Sequence, residues 1–165
     1  MSEKFTFFWR SNSPFSQWYM QSFSLDGITF NCAEQAMMYG KAVLFHDREI
    51  AEKVLKTAEP REQKQLGRLV NNFDDKIWKE KSKHIVYAAN KAKFTQNQEL
   101  LKALFRTAGT TLVEANPYDK IWGIGLAEED SRARDRKQWM GSNLLGESLT
   151  EPREELMSKQ DNGTT

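Results

Sequence analysis

Three observations predict a mainly α-helical chain with a few short strands. Apolar residues recur at helical spacing through 31–45, with Ala33, Ala36, Met37, Gly40 and Leu44 on one side. A longer helical pattern runs from about Asp75 to Phe94 and carries Ile77, Trp78, Ile85 and Ala89. Strand-type sequence is confined to short runs near the start and after Gly109. With 165 residues the chain suffices for one compact domain, and no repeat, low-complexity linker or domain boundary interrupts it.

In order, Phe5-Thr6-Phe7-Phe8-Trp9 reads as a short buried strand, followed by Arg10 and the loop Ser11–Ser16. Asp26-Gly27 is a hairpin signal between Phe23-Ser24-Leu25 and Ile28-Thr29-Phe30. The 31–45 helix follows. Asp47 can cap another, with Ile50, Val54, Leu55 and Ala58 inward. Pro60 suits the first position of a helix carrying Leu66, Leu69 and Val70. After the 75–94 segment comes a shorter helix with Leu100, Leu101, Leu104 and Phe105, which Gly109 can end. Thr111–Ala115 reads as a strand leading into the turn Asn116-Pro117-Tyr118-Asp119. Ile121-Trp122-Gly123-Ile124-Gly125 alternates bulk with glycine, so backbone passes close to something there. Glu128–Lys137 reads as a solvated insertion, and Trp139–Gly146 begins the last ordered element. The expected domain covers 1–157, with 158–165 as a polar, disordered tail.

Composition excludes several classes. A net charge of +1 argues against binding nucleic acid through the whole surface. One cysteine, Cys32, excludes an internal disulfide and fits a reducing compartment. No apolar run reaches membrane-spanning length and the N-terminus lacks a signal-peptide core, so a cytoplasmic location is expected. His46 and His84 have no partner at metal-ligand spacing, so neither a metal site nor a cofactor is expected. The stretch 61–93 is locally basic, which reads as solvated helix surface or as a phosphate-facing patch in which Arg68 suits bidentate contact.

Glu34 and Lys41 are seven residues apart, almost two helical turns, and share a face at about 10 Å separation. That spacing is too long for a salt bridge but suits two polar groups flanking a small molecule. Each has a plainer reading: Asn31-x-x-Glu34 has capping-box spacing, and Lys41 can be a solvated helix lysine.

An ordered series of motifs adds to this reading. Ser13-Pro14-Phe15-Ser16, Glu34-Gln35 with Lys41-Ala42, Leu66-Gly67-Arg68 and Trp78 come first. Lys93–Asn97, Leu112-Val113-Glu114-Ala115, Asp119-x-x-Trp122-Gly123-x-Gly125 and Trp139-x-Gly141-x-Asn143-Leu144-Leu145-Gly146 continue it. The chain thereby resembles the YbiA-like, or NADAR, family from about Phe5 to Leu156. The resemblance implies a single compact, mainly helical YbiA-like domain that hydrolyses N-glycosidic bonds of phosphoribosyl or ADP-ribosyl compounds. In one branch the substrates are ribosylamino-pyrimidine phosphates of riboflavin biosynthesis. In another, ADP-ribose is removed from guanine in nucleic acid, which would then be a partner only as the modified substrate. Gln17 stands where asparagine is expected after Ser-Pro-Phe-Ser, and Asn116 where serine is common before Pro117. Both departures bear on substrate choice.

The shared chemistry is a ribose C1′ bonded to an exocyclic nitrogen. Such a glycosylamine can open to an imine, which a neutral lysine attacks to give a Schiff base. Lys41 is the candidate amine, provided burial lowers its pKa. Glu34 and Asp119 are the candidate carboxylates for protonating the leaving nitrogen and activating water. The competing route is an oxocarbenium-like centre stabilised by a carboxylate, with Lys41 binding phosphate or hydroxyls. Trp122, Gly123, Trp78, Arg10, Arg68 and Asn143 are the candidate substrate contacts. Their plainer readings are core rings for the tryptophans, surface charge for the arginines and a helix cap for Asn143. Asp119 can be a turn residue. A non-catalytic ADP-ribose-binding module is the third hypothesis, and it has no use for a matched amine and two carboxylates.

Overall fold

In the computed structural model, which describes residues 2–161, helix formation follows the apolar periodicity and strands stay short. The elements are β1 (Phe5–Phe8), β2 (Phe23–Leu25), β3 (Ile28–Phe30), α1 (Ala33–Leu44), α2 (Arg48–Leu55) and α3 (Pro60–Gly67). They continue with α4 (Asp75–Thr95), α5 (Gln98–Phe105), β4 (Thr111–Glu114) and α6 (Leu144–Asp161), with two short 3-10 turns before α6. The chain packs as two compact units: Gln17–Asn97 forms one, and the chain up to Ser16 together with the chain from Gln98 forms the other. Neither junction carries a composition shift, so the sequence reads as undivided.

In the Gln17–Asn97 unit, α1 is the hub and packs against α2, α3 and α4. Ala33, Ala36, Met37, Met38 and Ala42 are its buried apolar residues. Gly40 and Gly67 explain how closely the helices approach. A Cβ on Gly40 would lie 2.8 Å from Ile85 Cγ2, and one on Gly67 would lie on the Met38 sulfur. Phe23, Phe30, Ala36, Ala89 and Ala92 form the core under the β2–β3 hairpin, whose turn residues Asp26 and Gly27 both take the positive φ that a tight hairpin needs. Several buried polar side chains are satisfied together: Gln35 Nε2 donates to the Val54 carbonyl at 3.0 Å, and Gln63 Nε2 to the Thr57 carbonyl at 2.7 Å and to Asn31 Oδ1 at 3.1 Å.

Three sequence expectations fail in this unit. The α1 N-cap is Cys32, without a side-chain cap bond, so the Asn31–Glu34 capping box does not form. The Asn31 amide donates instead to Gln35 Oε1 at 2.7 Å. Leu55 and Ala58 face outward, because α2 ends at Leu55 and its inner face is Ile50, Ala51 and Val54. Leu69 is exposed, while the polar Gln63 takes the buried place on α3.

In the other unit, β1 and β4 pair in parallel, Phe5 opposite Thr111 and Phe8 opposite Glu114. Among the described residues no strand pairs with the second edge of β4; side chains from the first turns of α6 and the residue before it seal it. Asn143 Nδ2 donates to the Leu112 carbonyl at 3.0 Å, and Asn143 Oδ1 accepts from the Glu114 amide at 3.0 Å. Thr150 Oγ1 accepts from the Leu112 amide at 3.0 Å. Arg153, 1 % exposed, donates to the Thr107 and Thr110 carbonyls and closes the α5–β4 connection. Glu128–Lys137 is charged and mostly exposed, as expected, but it is tied down by Asp130–Arg132 and Glu3–Arg136 pairs and by fully buried Ala133. Helix α6 runs on to Asp161, so Ser158–Asp161 are not the disordered tail expected; the rest of that expectation, 162–165, lies outside the described residues. No helix among the described residues is long and apolar enough to cross a membrane.

Candidate active site

Glu34, Lys41, Arg68 and Trp78 belong to the Gln17–Asn97 unit. Freed from helix capping, Glu34 sits 6 % exposed in the first turn of α1. Its backbone amide donates to the Gln17 carbonyl at 2.9 Å, and its Oε1 accepts from the Trp18 indole at 3.2 Å. The loop after Ser16 therefore fixes both ends of this residue. The Gln17 side chain reaches α4, where its Oε1 accepts from Asn90 Nδ2 at 2.8 Å.

Lys41, near the other end of α1, is half-buried. Its Nζ lies 4.7 Å from the Phe73 ring centre and 5.5 Å from that of Trp78. Burial holds the Lys41 pKa below the ordinary lysine range; the Glu34 carboxylate opposes this and the Arg68 guanidinium adds to it. The two ring faces attract the ammonium form by about 0.5–2 kcal/mol, which limits the fall. Met38, between Glu34 and Lys41 in the sequence, is buried and packs against Gly67. Phe73, 45 % exposed, escaped the sequence reading because a lone aromatic before the α4 cap residue Asp74 has no periodic signal.

Lys93 is a second low-pKa amine in this unit, and it is fully buried. Desolvation brings it down to about 7, and its Nζ lies 5.5 Å from the Tyr19 ring centre. Between pH 7 and 10 the unfolded chain holds a proton on this lysine that the folded chain does not, so stability rises with pH across that window. Lys93→Met is expected to flatten the rise, measured by urea unfolding at several pH values. An unchanged slope would mean that the amine keeps its proton in the fold.

Arg10, Asp119, Trp122, Gly123 and Asn143 belong to the other unit. Asp119 Oδ1 accepts from the Ile121 and Trp122 amides at 2.9 and 2.8 Å, so the carboxylate shapes the turn that presents Trp122. Only Oδ1 is used in this way. Asn116 Oδ1 accepts from the Tyr118 amide at 2.8 Å, the turn-forming bond that a serine hydroxyl makes more weakly. Trp122 is half-buried. Gly123 is buried, and a Cβ there would lie 3.0 Å from the carbonyl oxygens of both Asp119 and Glu114. Backbone packing alone therefore requires a glycine here. Asn143 is 0 % exposed, and both polar atoms of its carboxamide are bonded to β4, so it helps hold the fold. Arg10 is exposed and stacks over Trp9 at 5.0 Å. Arg68 is exposed and acts on Lys41 through its charge.

The NADAR domain model matches residues 7–157. The chain is 48% identical over 136 residues to Protein irg-1 of Caenorhabditis elegans, an alignment spanning 81% of this chain and 64% of that protein. It is 40% identical over 165 residues to N-glycosidase R617 of Acanthamoeba polyphaga mimivirus, covering 93% of this chain and 97% of the relative. Among solved structures, the NMR structure of the E. coli protein YbiA is similar with a TM-score of 0.78 and 26% identity, covering 97% of this chain and 89% of that one.

Proposed function

This chain belongs to the NADAR domain family, and from that premise we propose that it is an N-glycosidase cleaving the C1′–N bond of ribosylamino-pyrimidine phosphates of the riboflavin pathway. The name of the mimivirus relative supports the reaction class. The observation that carries the mechanism is Lys41: an amine with a lowered pKa, half-buried beside two rings, on the same helix as a buried carboxylate.

The glycosylamine opens, its ring oxygen taking a proton as C1′ becomes an imine carbon. The neutral Lys41 Nζ adds to C1′. The pyrimidine amine leaves with a proton from Glu34, and C1′ remains bonded to Nζ as a protonated Schiff base. Water, losing a proton to the carboxylate, adds to C1′; the C1′–Nζ bond then breaks, returning the lysine and releasing the ribose phosphate. The sum is one water consumed per glycosidic bond. Incubation with a ribosylamino-pyrimidine phosphate should release the aminopyrimidine and the sugar phosphate, and borohydride added during turnover should trap a ribosyl adduct on Lys41. Release without any adduct would move the mechanism to the oxocarbenium route.

The exposed lysines of α4, including Lys76, Lys79 and Lys81, favour a second reading in which the leaving group is guanine in an ADP-ribosylated strand. Running both substrates side by side separates the two.

Trp122 is the ring we assign to the base or the ribose. Trp122→Ala is expected to weaken substrate binding by about 1–3 kcal/mol, read as a raised Kd in a folded variant. Unchanged affinity would return Trp122 to a packing role.

A further inference from the structure

The nearer of the two rings beside Lys41 comes from a loop, and that loop is held at both ends. Phe73 lies between α3 and α4 and is exposed. Its ring packs on that of buried Phe45, centres 5.3 Å apart at 60°, while Lys41 Nζ lies 4.7 Å from the Phe73 ring centre. On one side, buried Asp47 fixes the loop. Its Oδ1 accepts from the Ile50 amide at 3.1 Å and caps α2, and its Oδ2 accepts from the Asn71 amide at 2.8 Å. The Asp47 amide donates in turn to the Ala42 carbonyl of α1 at 2.8 Å. On the other side, Asp74 Oδ1 accepts from the Lys76 and Ile77 amides and caps α4.

Capping α2 takes one carboxylate oxygen. The other oxygen goes to the loop, and the residues next to this tie, His46 and Asn72, take φ of 60° and 62°, which side chains with a Cβ disfavour. The fold therefore accepts two unfavourable backbone conformations around a loop whose large side chain is exposed. Lys41 is the group that gains from it. Its stem has many rotamers, no carboxylate pairs with it among the described residues, and its Nζ rests between Phe73 and Trp78. A carboxylate partner would hold the amine as an ammonium ion. A ring face holds it more weakly and leaves the lone pair of the neutral amine free to attack.

We propose that Asp47 and Phe73 are positioning residues for the Lys41 amine: Asp47 fixes the loop, and the Phe73 ring so placed holds Nζ against Trp78. The consequence for catalysis rests on the reading of Lys41 as the nucleophile; the hold on the amine does not. The charges acting on Lys41 are Glu34 on its own helix and Arg68 at the end of α3, and the substitutions below leave both in place.

The test measures the amine and the turnover separately. Trace acetylation of the full chain by acetic anhydride, followed by peptide mass spectrometry across the alkaline range, gives the pH midpoint of Lys41 without any substrate. Phe73→Leu keeps an aliphatic cover and removes the ring face, so the midpoint should fall by about 0.4–0.7 pH unit. In the same variant kcat should fall about 10–100-fold with KM changed by less than about twofold, because binding is kept and alignment is lost. Phe73→Tyr keeps the ring face and should restore both values. Asp47→Asn should lower kcat in the same way, and adding Phe73→Leu to it should cost less than about twofold more, since both act through one ring. An unmoved midpoint in Phe73→Leu, or a tyrosine variant as impaired as the leucine one, would overturn the proposal. Additive losses would remove Asp47 from it. Circular dichroism checks each fold, and should Asp47→Asn fail to fold, the Phe73 pair at its exposed position decides alone. A wild-type protein that labels as described yet releases no aminopyrimidine would remove the glycosidase reading and leave the hold on Lys41 standing.

Discussion

Lys41→Arg is expected to reduce turnover on the order of 10³–10⁶-fold, the range found when a covalent nucleophile is removed, while the protein still folds. Arginine keeps the positive charge beside Phe73 and Trp78, so a lysine that only binds phosphate would be largely replaced. It cannot supply a neutral amine, and a Schiff base would be lost with it. The wild-type pH profile should show an acid limb below the ordinary lysine range, because burial disfavours the ammonium form. Arg68→Gln should move that limb upward, since one of the charges holding the Lys41 pKa down is then gone. Substantial activity in Lys41→Arg, with a limb indifferent to Arg68, would leave Glu34 or Asp119 stabilising an oxocarbenium-like centre.

Gly146→Ala is expected to cost about 3 kcal/mol or more, at the upper end of overpacking. A Cβ there would lie on the Leu112 carbonyl oxygen and 2.5 Å from both polar atoms of the Asn143 carboxamide. Neither group can yield cheaply. The carbonyl belongs to β4, and the carboxamide is already bonded to β4 on both of its polar atoms. The variant must therefore move α6 away from β4 or break the seal on that strand's edge. The midpoint of urea unfolding should fall by more than about 1 M for a typical slope of 2 kcal/mol/M. A shift below half that size would show that the start of α6 can slide without loss.

The elements were legible because their signals are local. Helical periodicity, the Asp47 cap, Pro60 at the start of α3 and Asp26-Gly27 at the hairpin all act within a few residues, and each stands where the sequence placed it. The family was legible because its motifs keep their order along the chain, and that order needs no coordinates. The glycines of those motifs were visible as letters, but their reasons were not. Gly67 makes room for Met38, Gly123 for two carbonyl oxygens and Gly146 for β4, in each case a distance between segments.

Side-chain assignments divided along the same line. Residue type and spacing put Glu34 and Lys41 on one helix face, and the family resemblance singled them out. Only the fold removed the capping box, brought the Trp18 indole to Glu34 and set Phe73 beside Lys41. Asn143 is the clearest case: a polar residue in a functional motif suggests a ligand contact, yet its carboxamide is consumed by a strand 29 and 31 residues earlier in the chain. A hydrogen bond depends on where two groups end up in space, and over such separations the sequence states only that both partners exist. The sequence by itself determined the helices, the family and the chemical types available; the tertiary structure alone decided which of those groups hold the fold.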